Sequence, residues 1–165
     1  MLACRSCPQP KMESYFNVGD LSAELLLEKW RWLCASPVTI IARNAFGDLF
    51  LLTESGVVSK LDVSMGQLTK IAETVEQFLS LAKSPEKRQE LFAEEDERAA
   101  AQKGLVPNAA QCIAFKIPLC FRESSTASDN VYIANLYDYI PFLGDIHRQM
   151  ANVPDGRKIK LRVTD

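Results

Sequence analysis

Apolar residues recur every three or four positions near the start of the chain, which predicts a helix between residues 20 and 36. The stripe is formed by Leu26, Trp30 and Leu33. Asp20 or Ser22 is suited to cap the first turn, because its side-chain oxygen accepts from a free backbone N–H. Pro37 ends the pattern.

The next stretch predicts strands, since it is rich in Val, Ile, Leu, Phe and Thr and is interrupted by turn residues. We expect strands at about 38–43, 48–53, 57–62 and 67–71. Gly56 suits the connection after the second strand, because glycine adopts positive φ at little cost. The connections are too short for crossover helices, so the four strands should form an antiparallel meander.

A helical period returns after residue 73. Thr74 and Gln77 have the spacing of a capping box. Ser84 as N-cap and Pro85 in the first turn predict a second helix, which runs to Gly104. We interpret the acidic run at residues 94–97 as a solvated face of this peripheral helix.

The last third of the chain predicts a mixture of elements. Residues 111–121 suggest a strand that Pro118 ends, residues 122–130 a polar loop, and residues 131–136 another strand. A helix capped near Asp138 follows, with Pro141 in its first turn. The chain should close on a strand, in which three basic residues alternate with apolar ones. These basic residues are Lys158, Lys160 and Arg162.

Taken together, the elements predict an α+β fold with a single domain. We expect a largely antiparallel curved sheet, made of the meander and the C-terminal strands, with helices packed on one side. Residues 1–19 should form a flexible N-terminal tail and residues 20–165 the domain.

Composition and charge point to a cytoplasmic protein. A formal net charge of −2 favours neither nucleic acid nor an anionic membrane as a partner. The chain shows neither a membrane span nor a secretory signal. Its odd number of cysteines, 5, suits a reducing compartment. Cys4 and Cys7 have the spacing of half a zinc knuckle, but the other half is missing, so we predict no metal site and no cofactor.

His147 is the only histidine of the chain and therefore the first candidate for a catalytic group. It lies at the border of an apolar stripe that includes Leu143 and Met150. Catalysis would require a nucleophile and an orienting group within reach, and no motif in the sequence supplies them. We interpret His147 as a structural residue.

Three segments carry a resemblance to a known family. They are "AFGDLFLL" at 45–52, "QCIAFKIPLCF" at 111–121 and "NLYDYIPFLGDIHRQMANVPDGRKI" at 135–159. The order of these segments, from about residue 21 onward, is the one found in the C-terminal domain family of type VI secretion immunity proteins, which the chain therefore resembles. Members of that family often follow a GAD-like domain, which we do not expect here, and many have a glycine pair where this chain has "RESSTASDN".

This resemblance implies a protein without enzymatic activity, which neutralises a cognate toxin, in some relatives a DNase, by protein–protein contact. Two alternatives remain open from the residues alone. One is a small-ligand or regulatory module with a groove between sheet and helices. The other is an enzyme centred on His147.

Contact residues are expected on loops, because connecting segments usually carry recognition. We predict partner contacts in the first hairpin and in the polar loop, at Asn44, Phe46, Asp48, Arg122, Ser125 and Asp129. For Phe46 the competing interpretation is a core residue. For Asp48 it is a cap of its own turn.

Overall fold

The computed structural model describes residues 11–162. A four-stranded antiparallel sheet has the order β1-β2-β3-β4, and a second sheet pairs β5 with β6. The strands are β1 (Val38–Arg43), β2 (Leu49–Thr53), β3 (Val58–Asp62), β4 (Gln67–Ala72), β5 (Gln111–Phe115) and β6 (Val131–Asn135). The predicted meander and the single α+β domain are confirmed, but β5 and β6 form a sheet of their own and do not join the meander in one curved sheet as expected.

Six α-helices accompany the sheets in the described residues. They are α1 (Met12–Tyr15), α2 (Ala23–Leu26), α3 (Val75–Lys83), α4 (Pro85–Phe92), α5 (Glu94–Gln102) and α6 (Leu136–Met150), with a 3-10 turn at Glu28–Trp30. No helix within residues 11–162 has the length and apolarity that a membrane span requires.

Both faces of the four-stranded sheet are covered, whereas we expected helices on one side. On one face Leu49 and Leu51 of β2 pack in a core with α2 and α6. On the other face Phe50 packs with Phe78 of α3 and Phe92 of α4. The cause is that β2 is apolar at consecutive positions, so both of its faces must be buried.

The N-terminal region differs from the prediction at two points. Tyr15 of α1 is buried and stacks on Phe92 at a centroid distance of 4.4 Å. The prediction that residues 1–19 form a flexible tail is therefore wrong for α1. Residues 1–10 lie outside the described chain. The predicted helix at 20–36 is split at Leu27 into α2 and the 3-10 turn, and Ser22, not Asp20, is the N-cap.

Caps explain the boundaries of the middle helices. The Thr74 side chain accepts from the Gln77 amide, as predicted, but Gln77 Oε1 accepts from the amide of Glu73 rather than from that of Thr74. Ser84 caps α4 as predicted. The long helix expected from Ser84 to Gly104 is broken at Ala93, whose φ of 54° belongs to the left-handed region.

The C-terminal region also needs two corrections. The last helix is capped by Asn135, whose side chain accepts from the Tyr137 amide, and not by Asp138. Pro141 therefore lies inside α6 and leaves the Tyr137 carbonyl without its usual helical donor. Residues 158–162 form no strand. There the Gln149 side chain exchanges two hydrogen bonds with the backbone of Arg162 and holds the segment against α6.

Candidate binding groove

A groove of about 360 Å³ lies between α5, the outer face of β5 and β6, and the turn that joins β1 to β2. It is the candidate functional site because apolar and charged side chains converge there. A smaller cavity of about 210 Å³ beside Cys34 has no charged side chain among the residues that line it. The name "groove" below refers to the larger of the two.

The floor of the groove is apolar because β5 carries buried apolar residues on both faces. Cys112 and Ala114 point into the main core. Ile113 and Phe115, which alternate with them, line the groove together with Val131 of the neighbouring strand. The Phe46 ring stacks on that of Phe115 at a centroid distance of 6.4 Å and extends this floor.

Small side chains on α5 keep the groove open. This helix has no buried residue, and its groove side carries Ala99 and Ala100. A methyl group covers too little of the floor to fill the space between the helix and the strands. Larger side chains at these two positions would close the groove.

The turn at residues 44–48 forms one rim and is held by its own hydrogen bonds. Asn44 Oδ1 accepts from the amides of Phe46 and Asp48, each at 3.0 Å. Asp48 accepts from Asn44 Nδ2 at 2.8 Å and from the Val63 amide at 3.1 Å. Its carboxylate also lies 3.1 Å from Lys60 Nζ. Burial raises the pKa of Asp48, and the nearby Lys60 opposes that rise.

Further charged groups on the rim have no such partner. Asp62, Asp96 and Lys103 line the groove and form no ion pair within residues 11–162. Asp62 only accepts from the Met65 amide of its own turn, and Asp96 from Gln89 Nε2 at 3.4 Å. These three charges therefore remain available to a bound molecule.

The structure brings only half of the predicted contact residues together. Asn44, Phe46 and Asp48 line the groove, although Asn44 and Asp48 are buried and engaged in the turn. The other three, Arg122, Ser125 and Asp129, are exposed and do not line it. Leu119 and Thr126 of the same loop do. Which loop positions turn inward depends on the folded path of residues 116–130, which has no periodic sequence signal.

Asn130 shapes this loop and was not predicted from the sequence. Its side chain accepts from the Ile117 amide at 2.8 Å and donates to the Ser125 carbonyl at 2.7 Å. It also contacts the Ile117 carbonyl and Ser124 Oγ, each at 3.1 Å. Asparagine at the end of a polar loop is typical of such a role, which is the signal that could have found it.

Replacing Asn130 by alanine should loosen the loop and lower the free energy of unfolding by about 1–3 kcal/mol, since buried backbone groups lose their partners. Chemical denaturation measures the loss, and hydrogen exchange should show faster exchange at the Ile117 amide. Asp129→Ala, an exposed neighbour, is the control. Equal stability of both variants would contradict this account.

Arg43 is a second residue that the sequence did not single out. The side chain is 9% exposed, and its guanidinium donates to the carbonyls of Gln111, Asn108 and Ala109 at 3.0–3.3 Å. Burial lowers the pKa of Arg43. The three bonds attach the segment before β5 to the end of β1 and so position the floor of the groove.

The structural interpretation of His147 agrees with its position. The residue is 6% exposed, and Nε2–H donates a hydrogen bond to the Val63 carbonyl at 3.1 Å. Burial lowers the pKa of His147, which favours the neutral imidazole. The ring packs against Trp30 at 5.6 Å and against the backbone of Gly66. It does not line the groove.

The acidic run at residues 94–97 is more than a solvated face. Glu94 pairs with Arg88 at 3.0 Å, and Glu97 accepts from the Tyr15 hydroxyl at 2.7 Å. Burial raises the pKa of Glu97. Two of the four carboxylates thus attach α5 to α1 and α4, which leaves Glu95 and Asp96 exposed.

The chain matches no model of a known protein family and no curated protein. The resemblance to type VI immunity domains therefore stays a prediction. Among residues 11–162 no three His, Cys, Asp or Glu side chains are grouped to hold a metal ion. Cys4 and Cys7 lie outside that range.

Proposed function

We propose that the chain is a binding protein of the immunity type, without enzymatic activity, which neutralises a protein toxin by direct contact centred on the groove. The observation that carries the proposal is the groove itself, with an apolar floor and a charged rim. Protein interfaces commonly have an apolar centre and a polar edge. The sequence resemblance supplies the class of partner.

The side chains around the groove favour binding over catalysis. A general acid or base must reach the proton that it transfers. Asp48, the most buried carboxylate of the rim, is occupied by Lys60, Asn44 and the Val63 amide. His147 lies in the core. The turn at residues 44–48, whose hydrogen bonds are satisfied, is suited to present a fixed surface to a partner.

The proposed compartment is the bacterial cytoplasm, where such a protein would meet the toxin. Three thiols of residues 11–162 are free: Cys34, Cys112 and Cys120. Burial raises the pKa of Cys34 to about 11 and that of Cys112 to about 12, so both stay protonated and unreactive.

Binding of a small ligand is the second candidate, because the groove volume also supports it. Ligand sites commonly enclose about 300–1,000 Å³ and combine apolar walls with a few polar groups. A metabolite that copurifies with the chain, or raises its melting temperature in a screen, would favour this function over the first.

Filling the groove should abolish toxin binding. In the variant Ala100→Trp the indole would cover the floor at Phe115, and we expect affinity for the toxin encoded by an adjacent gene to fall at least about tenfold. The melting temperature should be unchanged or higher, since the indole occupies an existing space. Isothermal titration calorimetry measures the affinity.

Gln102→Trp is the matched control, since Gln102 is an exposed α5 residue that does not line the groove. It should bind the toxin as tightly as the unmodified chain. If the unmodified chain does not bind the toxin and gives no protection in a co-expression assay, the proposed function is wrong. If binding survives Ala100→Trp, the contact surface lies elsewhere.

A further inference from the structure

We infer that the groove receives an extended segment of the partner, in which a large apolar residue lies between a lysine or arginine and an acidic residue. The inference rests on the proposed function and adds the chemistry of the bound segment. Its basis is the order of charged and apolar groups along α5.

The apolar residue of the segment would pack on the floor of the groove. Phe46 and Phe115 present stacked rings there, opposite the small Ala100. An aromatic or branched side chain fills such a space and gains dispersion contacts that water does not provide. This contact alone is compatible with many partners.

Charge complementarity restricts which residue of the bound segment can lie at the N-terminal end of α5. Asp96 lies in the first turn of this helix, and Asp62 lies at the end of β3 on the same sheet face as Lys60. The ammonium of Lys60 is engaged with Asp48, so it does not compensate Asp62 or Asp96. A lysine or arginine of the segment would face two uncompensated carboxylates.

Lys103, at the other end of α5, sets the position of the acidic residue. The groove follows the helix from end to end, because both Ala93 and Lys103 line it. Asp96 and Lys103 are seven residues apart, or about 10 Å at about 1.5 Å per residue. An extended chain covers that distance in about three residues. The acidic residue should therefore lie about three positions from the basic one, before or after it.

The inference can be tested with labelled synthetic peptides and fluorescence polarisation on the full chain. The probe is Gly-Lys-Phe-Ala-Glu-Gly, acetylated and amidated at its ends. One comparison peptide replaces Lys by Glu, and another replaces Phe by Ala. We expect the probe to bind at least about tenfold more tightly than either of them.

Variants of the chain separate the effect of the acidic rim on binding from the effect of the protein's overall charge. Asp62→Asn combined with Asp96→Asn should remove the preference for the probe over the peptide with Lys replaced by Glu. Asparagine at residue 62 still accepts from the Met65 amide, so the turn is retained. Glu95→Gln, an exposed α5 position that does not line the groove, should keep the preference.

The outcomes distinguish this inference from the proposed function. Equal affinity for the probe and the peptide with Lys replaced by Glu, or no binding of the probe, overturns the inference, and toxin binding would then still support the proposed function. Probe binding that Ala100→Trp does not weaken also overturns it. A clear preference for the probe without toxin binding would retain the groove chemistry and reject the immunity function.

Discussion

Trp30→Ala is expected to lower the free energy of unfolding by about 3–5 kcal/mol, the range for removing a large aromatic side chain from a core. Trp30 is fully buried between α2 and α6. Its indole donates to the Ile140 carbonyl at 2.8 Å and lies beside the rings of Trp32 and His147. Urea denaturation at 25 °C measures the loss.

Trp30→Phe is the control for this prediction. Phenylalanine keeps most of the apolar volume but removes the donor to Ile140, so its cost should be clearly smaller than that of alanine. A loss of unfolding free energy below about 1 kcal/mol for Trp30→Ala would contradict the central position of this side chain, since removing a buried aromatic side chain costs several times more.

Gly66→Ala is expected to lower the free energy of unfolding by about 2–4 kcal/mol, from positive φ and overpacking combined. Gly66 has φ of 66°, and a Cβ there would lie 2.4 Å from His147 Nδ1. The ring cannot retreat easily, because Nε2 is bonded to Val63 and Trp30 packs on the same ring. Thermal and urea denaturation both report the loss.

Gly104→Ala separates the two contributions. Gly104 also has positive φ, 82°, but a Cβ there would meet no atom within 4 Å. This variant should therefore show only the conformational cost, about 1–2 kcal/mol. If Gly66→Ala costs no more than Gly104→Ala, His147 does not pack against the turn as described.

The turn that contains Gly66 also links the core to the groove. Ser64 and Met65 of this turn line the groove, and His147 holds its other side. His147, which was a catalytic candidate in the sequence, thus positions one rim of the candidate binding site. Its chemistry is that of a hydrogen-bond donor in the core.

Local sequence signals predicted most of the secondary structure. Four strands lie within a residue of their expected bounds, since alternation and turn residues report directly on strands and hairpins. The caps Ser22, Thr74 and Ser84 act on amides only three residues away. Such contacts depend only on residues that are close in the chain, so the sequence pattern predicts them.

Errors arose where distant contacts outweigh local preference. Ala93 breaks a pattern that reads as one helix, and Phe92 beside it packs on Tyr15 and Phe50, which lie far away in the chain. Tyr15 was assigned to a tail, but its ring and hydroxyl are both bound by residues far along the chain. Periodicity carries no information about such partners.

By itself the sequence determined the α+β class, the meander and the caps at Ser22, Thr74 and Ser84, because these depend on side-chain periodicity and on hydrogen bonds between near neighbours. Only the tertiary structure decided that Phe46, Phe115 and Ala100 face one another and that Asp62 and Asp96 share one groove. These residues come from separate segments, and long-range packing, not local propensity, brings them together.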